Sequence, residues 1–206
     1  MATELGNITT EQKTGEERLT FNESETGLKL IDFWKWSVSD IISNATRGRF
    51  AEFIVASALK MDLTTVRNEW SAYDLTSPEG IKVEVKSSSY LQSWFQKDYS
   101  TISFSIKPAR NWDNLTGKQE PTPTRQADIY VFCLLKHKDQ TTLNPLSLEQ
   151  WEFYVVPTLT INSYERSESS ITLKSLQNLT TPVTYHELAE TIINRHDNGH
   201  KRKHSR

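Results

Sequence analysis

The stretch Ile81-Lys82-Val83-Glu84-Val85-Lys86, which follows Pro78-Glu79-Gly80, decides the fold because its apolar and charged residues alternate. Residues that recur at a period of two share one face of a β-strand, so the three apolar residues face a core. Lys82, Glu84 and Lys86 share the opposite face. A carboxylate and an ammonium group therefore lie side by side on this strand, as a metal ligand and a water-orienting cation must.

A second carboxylate, Asp74, lies ten residues before Glu84 in the sequence. It falls at the end of residues 66–75, a short apolar-flanked stretch that predicts a strand. The turn residues 76–80 join this stretch to the alternating strand, so the two predict a β-hairpin. The hairpin would bring both carboxylates to the same sheet.

A third carboxylate, Glu52, lies in residues 47–60, which predict a helix that is apolar almost all the way round. Helices of this kind are buried. A buried carboxylate needs a cation, a hydrogen-bond donor or a metal as its partner. An ion pair with Arg47, Arg49 or Lys86 and a place in an active site are equally consistent with the sequence.

Two further helices are predicted from periodicity and capping signals. Residues 28–44 carry apolar side chains at helical spacing, and Thr46 is the expected N-cap of the helix that follows. Near the end of the chain, Thr184 with Glu187 forms a capping box that predicts a final helix to about residue 194.

Three more strands complete the predicted fold. Residues 101–106 alternate, as a half-buried strand does, whereas residues 128–135 are continuously apolar, as in a central strand covered on both faces. Residues 151–156 are expected to form its neighbour. The order of elements predicts an α/β fold in which helices flank a central mixed β-sheet.

The chain of 206 residues is expected to comprise a mobile N-terminal arm (1–27), a single α/β domain (28–194) and a basic disordered tail (195–206). The tail carries five Lys or Arg and one Asp, so its charge of +4 leaves −6 for the rest of a chain whose net charge is −2. An acidic body weakens the case for broad phosphate binding.

Composition excludes several classes of protein. No apolar run approaches the roughly 20 residues that span a bilayer, so no membrane association is expected. The N-terminal residues lack the basic start and apolar stretch of a signal peptide. Cys133 is the single cysteine, which excludes an intramolecular disulfide and fits a buried thiol in a reducing cytoplasm.

The pattern of Asp74 followed by Glu84-x-Lys86 resembles the core motif of the PD-(D/E)xK nuclease superfamily. Arg47-Gly48-x-x-x-Glu52 is similar to the helix that opens the fold in archaeal Holliday-junction resolvases and related endonucleases. The resemblance covers about residues 47–135 and implies a restriction-endonuclease-like core, with a nuclease-like domain over 28–194. The chain departs from the family name at Tyr73, where the motif has proline.

This resemblance implies a hydrolase that cleaves phosphodiester bonds with Mg²⁺ or Mn²⁺. Mg²⁺ is usually held by one or two carboxylates and several waters. Asp74 and Glu84 are the expected metal ligands, with the Val85 carbonyl as a third oxygen and Glu52 completing or supporting the site. Lys86 is expected to orient the attacking water or to stabilise charge on the phosphate.

The implied partner is nucleic acid, with DNA preferred because the superfamily acts mostly on DNA. Gln92, Arg110 and Arg125 are candidate substrate-binding residues around the site. Trp94 and Phe95 are open to two interpretations, as rings that stack on bases or as core residues. Many such nucleases form homodimers to cut both strands, and a homodimer is therefore also an expectation.

Two alternatives to a nuclease follow from the same residues. A catalytically inactive nuclease-like module that binds nucleic acid or a protein partner is favoured by the acidic body of the chain. A structural protein would use Glu84 and Lys86 merely as an exposed ion pair. Metal binding that depends on Asp74 and Glu84 separates this last alternative from the other two.

Overall fold

The structure is a computed structural model that describes residues 8–110, 112–113 and 118–204. Its helices are α1 (Leu30–Val38), α2 (Asn44–Ala58), α3 (Thr158–Asn162), α4 (Leu173–Leu179) and α5 (Tyr185–His204), with a 3-10 helix at Leu148–Gln150. Its strands are β1 (Arg18–Phe21), β2 (Ser24–Lys29), β3 (Leu75–Thr76), β4 (Lys82–Ser89), β5 (Ser103–Ser105), β6 (Trp112–Asp113), β7 (Lys118–Gln119), β8 (Ile129–Leu135), β9 (Trp151–Pro157) and β10 (Ser170–Thr172).

A four-stranded sheet with the order β3-β4-β8-β9 forms the centre of the molecule. Strand β4 runs parallel to β8, from Val83 opposite Ile129 to Ser89 opposite Leu135. The pairs β3–β4 and β8–β9 are antiparallel, so the sheet is mixed. The predicted α/β fold with a central mixed sheet flanked by helices is confirmed.

Strand β8 is apolar throughout because both of its faces are covered. Ile129, Val131, Cys133 and Leu135 pack into one core cluster, and Tyr130, Phe132 and Leu134 pack into the other. All seven residues of this strand are buried. A central strand with two covered faces requires this continuous apolar pattern rather than an alternating one.

The two faces of the sheet are covered by different elements. On one face, Ala51, Ile54 and Val55 of α2 and Leu188 and Ile192 of α5 pack against the sheet. On the other face, the apolar residues around β5, β10, α3 and α4 form the second layer: Ile102, Phe104, Ile106, Ile161, Ile171 and Leu176. Helices therefore lie on both sides of the sheet, with α2 next to β4.

The edge of the sheet next to β4 is only partly covered. Strand β3 is two residues long and pairs Leu75 with Val83 and Thr76 with Lys82. Beyond this short pairing, the backbone of β4 faces the residues that precede β3. The chain around Asp74 therefore lies directly beside the strand that carries Glu84 and Lys86.

Several predicted boundaries need correction. Helix α1 ends at Val38 because the Asp40 carboxylate accepts hydrogen bonds from the backbone N–H groups of Ile42 and Ser43 and forms a turn there. The N-cap residue of α2 is Ser43, and Thr46 lies inside the first turn of the helix. The Glu187 half of the predicted capping box forms at the start of α5, since Oε2 of Glu187 accepts hydrogen bonds from the N–H and hydroxyl groups of Thr184.

Two predicted strands also differ from the structure. The strand expected at 66–75 is reduced to Leu75–Thr76, because Arg67 is held by Glu52 of α2 and the Asn68 side chain forms a local turn with Trp70. The strand expected at 101–106 forms as Ser103–Ser105. It pairs with β10 in a separate two-stranded sheet, because its apolar side chains cover the face of the central sheet rather than extending it.

The terminal segments contain more regular structure than expected. Residues 18–29 form the antiparallel hairpin β1–β2, with its turn at Asn22 and Glu23 in the left-handed region. Helix α5 continues to His204, through most of the segment predicted as a disordered tail. Residues 1–7 and 205–206 of these two segments lie outside the described residues, and the division into arm, domain and tail stays a prediction.

No helix in the part of the chain that the structure describes has the length and hydrophobicity needed to cross a membrane. The prediction that Cys133 is a buried thiol is confirmed, because this residue is a free cysteine with no exposed surface. Burial raises the pKa of this thiol well above its usual range, so it is not a nucleophile.

Replacing Phe132 by alanine tests the role of β8. Its ring is fully buried and contacts the ring of Phe104 edge to face, with 5.2 Å between the centroids. We expect Phe132→Ala to lower the free energy of unfolding by about 3–5 kcal/mol in urea denaturation, because it leaves a cavity between the layers. The matched control, Phe95→Ala at a ring that is 87% exposed, is expected to change it by at most about 0.5 kcal/mol. Equal effects would contradict the assignment of the core.

Candidate active site

The Asp74 carboxylate is fixed to the backbone of the strand that carries Glu84 and Lys86. Its Oδ2 atom accepts a hydrogen bond from the Val85 backbone N–H at 2.7 Å. Because β3 begins only at Leu75, no strand partner lies opposite Val85, and the Asp74 carboxylate takes the place of a backbone acceptor. The structure thus brings together Asp74 and Glu84, as the spacing in the sequence predicts.

Glu84 and Lys86 lie on the same face of β4 and form an ion pair. They are opposite Tyr130 and Phe132 of β8, on the face of the sheet away from α2. Burial raises the pKa of Glu84, the negative charge of Asp74 raises it further, and Lys86 lowers it. Burial, with a smaller effect of Glu84, also raises the pKa of Tyr130 to about 12, so this phenol stays neutral.

Glu52 projects from α2 toward the same group of charges, and its partner is Arg67. The guanidinium donates through Nε to Oε2 of Glu52 and through Nη2 to Oε1 at 3.1 Å. The ion-pair partners considered from the sequence, Arg47, Arg49 and Lys86, are therefore wrong for this direct pair. Lys86 acts on Glu52 only through its charge.

Arg67 is the functional residue that the sequence reasoning missed. It also donates to Oε2 of Glu69 at 2.6 Å, and its Nη2 lies 3.8 Å from Oδ1 of Asp74. A buried Glu52 needs a cation, which is the signal for such a partner, but Arg67 lies in residues 66–75, which predict a strand. Arg67 links the helix carboxylate to the carboxylate at the sheet edge.

Like charges oppose one another throughout this cluster. Burial raises the pKa of Glu52, the hydrogen bond from Arg67 lowers it, and the charge of Asp74 raises it. Glu52 and Asp74 likewise both raise the pKa of Glu84. The negative charges of the three carboxylates thus act on one another through the protein, and keeping Glu52 and Glu84 ionised carries an electrostatic cost.

The carboxylates of Glu52 and Asp74 line a cleft of about 630 Å³ between α2 and residues 61–76. Arg49 and Arg67 contribute cations to its wall, and Phe53 and Tyr73 contribute aromatic rings. A cleft of this size accommodates part of an extended polymer or a small ligand. It gives access from solvent to Glu52 and Asp74, whereas Glu84 and Lys86 are not among the residues that line it.

The oxygen donors of the cluster suit a hard divalent cation. Successive residues of a strand point their backbone groups to alternate sides, so the Val85 carbonyl points to the same edge as its N–H, toward Asp74. Within the described residues, no group of three or more His, Cys, Asp or Glu side chains forms a metal site. Two carboxylates and one carbonyl nevertheless meet the usual need of Mg²⁺, which keeps several of its waters.

The three candidate substrate-binding residues do not join this cluster through any contact in the structure. The Gln92 side chain bonds to Arg47, Ser89 and Ser100 at the far end of β4. All three nitrogens of the Arg125 guanidinium donate inside the protein, to Ile106, Asn162 and Glu168. Arg110 is exposed, next to the bridge between Ala109 and Thr124. The polar groups of Gln92 and Arg125 thus have partners within the protein, and a substrate-binding role for all three residues stays a prediction.

Comparison with protein families matches residues 4–175 to a family described as bacteriophage T4 endonuclease IV. The match spans most of the chain and includes Glu52, Arg67, Asp74, Glu84 and Lys86. The chain therefore belongs to the bacteriophage T4 endonuclease IV family. Comparison with curated proteins gave no match. Membership of an endonuclease family supports the prediction of a nuclease made from the sequence.

Removing Arg67 tests whether it neutralises the buried Glu52 carboxylate. We expect Arg67→Met to lower the free energy of unfolding by about 1.5–3 kcal/mol at pH 8. The loss should be smaller at pH 5, because the pKa of Glu52, already raised by burial, rises further without Arg67. A carboxyl group whose pKa is raised by folding contributes stability that falls as the pH rises through that pKa.

Two controls accompany this measurement by chemical denaturation. Arg49→Met removes an exposed arginine that lies 3.7 Å from Glu69, and is expected to change stability by at most about 0.5 kcal/mol. The double variant Glu52→Gln/Arg67→Met should lose the extra pH dependence, because the titrating group is gone. A loss for Arg67→Met that is the same at both pH values would contradict this account.

Proposed function

We propose that this chain is a metal-dependent nuclease of the PD-(D/E)xK type that hydrolyses phosphodiester bonds of DNA with Mg²⁺ or Mn²⁺. The observation that carries the proposal is the hydrogen bond from the Val85 N–H to Asp74. It holds a carboxylate beside the strand that presents Glu84 and Lys86, in a chain of an endonuclease family. DNA is proposed as the polymer because the superfamily that the motif resembles acts mostly on DNA.

The metal would be held by Asp74, Glu84 and the Val85 carbonyl, with Glu52 supporting the site from α2. When bound, a divalent ion lowers the pKa of a water molecule and neutralises charge on the phosphate. The cluster is suited to such an ion because the charge of Asp74 raises the pKa values of Glu52 and Glu84, so that added positive charge stabilises their ionised forms. Arg67 and Lys86 supply only part of that charge from the protein itself.

The protein side chains would then orient the reacting groups. Lys86, exposed to about 30% beside Glu84, is placed to hold the attacking water or a phosphate oxygen through its ammonium group. The water oxygen would attack phosphorus in line and release one proton to solvent, the bond between phosphorus and the leaving oxygen would break, and the leaving oxygen would take up a proton from solvent. Positive charge from Lys86 opposes the negative charge that develops on the phosphate in this step.

Cleavage assays on plasmid, single-stranded DNA and RNA test the proposal. We expect the unaltered protein to cut with Mg²⁺ or Mn²⁺ and to lose cutting when EDTA is added. Asp74→Asn, Glu84→Gln and Lys86→Met should each lower the rate by about 10²-fold or more. The preferred polymer among the three identifies the substrate.

The chain offers a matched control pair on the same sheet. Lys136 and Glu152 form an ion pair at 3.3 Å between the ends of β8 and β9. Lys136→Met and Glu152→Gln should leave the cleavage rate unchanged. Absence of cutting on every polymer, with intact nucleic-acid binding, would favour the catalytically inactive module instead.

Metal binding separates the expected roles of Glu84 and Lys86. In calorimetric titration with Mn²⁺, Glu84→Gln and Asp74→Asn should weaken binding by at least about tenfold, because each removes a ligand. Lys86→Met should bind Mn²⁺ at least as tightly as the unaltered protein, since it removes a competing cation, yet fail to cut. Equal Mn²⁺ affinity in all three variants would show that the cluster is an ion-pair network without a metal.

A further inference from the structure

We propose that residues 90–100, the loop that follows β4, form a rigid platform on which Trp94 and Phe95 stack against nucleobases of the substrate. This stacking loop is distinct from the carboxylate cluster. The inference rests on the proposed function, because the bases belong to the nucleic acid that the cluster is proposed to cut.

The two rings of the stacking loop are exposed rather than part of the core. Trp94 is 53% exposed and Phe95 is 87% exposed. This exposure excludes the interpretation of the two rings as core residues. Exposed aromatic side chains next to each other at a loop tip suit base stacking, since every base has an aromatic face.

Gln92 anchors the loop on one side of the rings. Its Nε2 donates to the Ser89 carbonyl at 3.0 Å and to the Ser100 hydroxyl at 3.2 Å. Its Oε1 accepts from Nη1 of Arg47 at 3.2 Å. Arg47 is 3% exposed, so the loop is attached to the interior at the start of α2.

Gln96 anchors the loop on the other side of the rings. Its Oε1 accepts from the Gln92 N–H at 2.7 Å, and its Nε2 donates to the Tyr90 carbonyl at 3.2 Å and the Ser100 hydroxyl at 3.0 Å. A backbone hydrogen bond from Ser100 to Tyr90, at 3.0 Å, closes the loop. These hydrogen bonds thus hold the stacking loop in place without a ligand, which lowers the entropic cost of stacking.

The position of the loop fits a polymer that passes the carboxylate cluster. Tyr90 follows the last residue of β4 directly and lies four residues after Lys86, so about 13 Å separates them at about 3.3 Å per residue of extended chain. At about 3.4 Å per base along a DNA strand, this distance is about four bases. A strand whose phosphate lies at Lys86 therefore reaches the loop a few nucleotides away.

Two lysines give the stacking loop the charge that a nucleic acid needs. Lys97 is exposed and lies two residues after Phe95 in the sequence. The Lys138 ammonium lies 4.3 Å from the centroid of the Tyr90 ring and 5.5 Å from that of Tyr99. Rings beside ammonium groups match a polymer that alternates bases with phosphates, and this favours nucleic acid over an apolar protein surface.

Binding of fluorescent oligonucleotides to the full chain tests this inference. The oligonucleotides carry 2-aminopurine, whose emission falls on stacking, and Ca²⁺ replaces Mg²⁺ so that binding is measured apart from cutting. We expect Trp94→Ala and Phe95→Ala each to weaken binding by about 5- to 150-fold and to abolish part of the quenching. Phe95→Tyr should retain both properties.

Salt dependence distinguishes stacking from charge. The two alanine variants should keep the slope of log affinity against log salt, whereas Lys97→Ala should reduce it by about one. The matched controls are Phe21→Ala in the β1–β2 hairpin and Trp36→Ala in α1, whose rings are 73% and 83% exposed. Neither should change affinity or quenching.

The outcomes separate this inference from the proposed function. If the protein cuts but Trp94→Ala and Phe95→Ala bind like the controls, the inference is overturned, the nuclease stands, and the loop belongs to a protein interface. If binding depends on the rings but no polymer is cut, the inference stands and the nuclease proposal fails. If the unaltered protein binds neither single-stranded nor duplex oligonucleotide, both are overturned.

Discussion

The hydrogen bond between the Val85 N–H and the Asp74 carboxylate is the interaction on which the candidate active site depends. It exists because β3 is only two residues long and leaves the backbone of β4 without a strand partner at this point. A buried or edge N–H needs an acceptor. One carboxylate meets this structural need and is fixed beside Glu84 and Lys86 at the same time.

The charged side chains around this bond are three carboxylates and two cations, so negative charge is in excess. Glu52, Asp74 and Glu84 oppose one another, and Arg67 and Lys86 bind two of them directly. Such a cluster stabilises the fold poorly, because desolvation of the charges offsets much of their attraction. We therefore interpret the carboxylates as metal ligands and the cations as phosphate-binding groups, which exchange their present ion pairs when a metal ion and a phosphate bind.

The parts of the fold that the sequence predicted well are set by local patterns. The alternation in residues 81–86 indicates a strand with one face in the core, and the continuous apolar run at 129–135 indicates a strand with both faces covered. The burial of β4 and β8 in the structure agrees. The spacing of Asp74 and Glu84 likewise predicted their approach, because a short hairpin connects them. These features need no knowledge of distant contacts.

The parts that could not be predicted depend on tertiary contacts. Nothing in the sequence near Arg67 identifies Glu52 as its partner, 15 residues away on another element. Gln92 is a candidate substrate-binding residue because it follows β4, and the sequence does not indicate that its hydrogen bonds fix the loop after this strand. The exposure of Trp94 and Phe95 was also open, since periodicity does not distinguish a core ring from a loop ring.

An anomalous-scattering map of crystals soaked in Mn²⁺ tests the central claim most directly. The account predicts a peak within coordination distance, about 2.0–2.3 Å, of Asp74, Glu84 and the Val85 carbonyl oxygens. It also predicts that Lys86 moves away from Glu84. No peak at saturating Mn²⁺, or a peak that avoids both carboxylates, would contradict the claim that this cluster is a metal site.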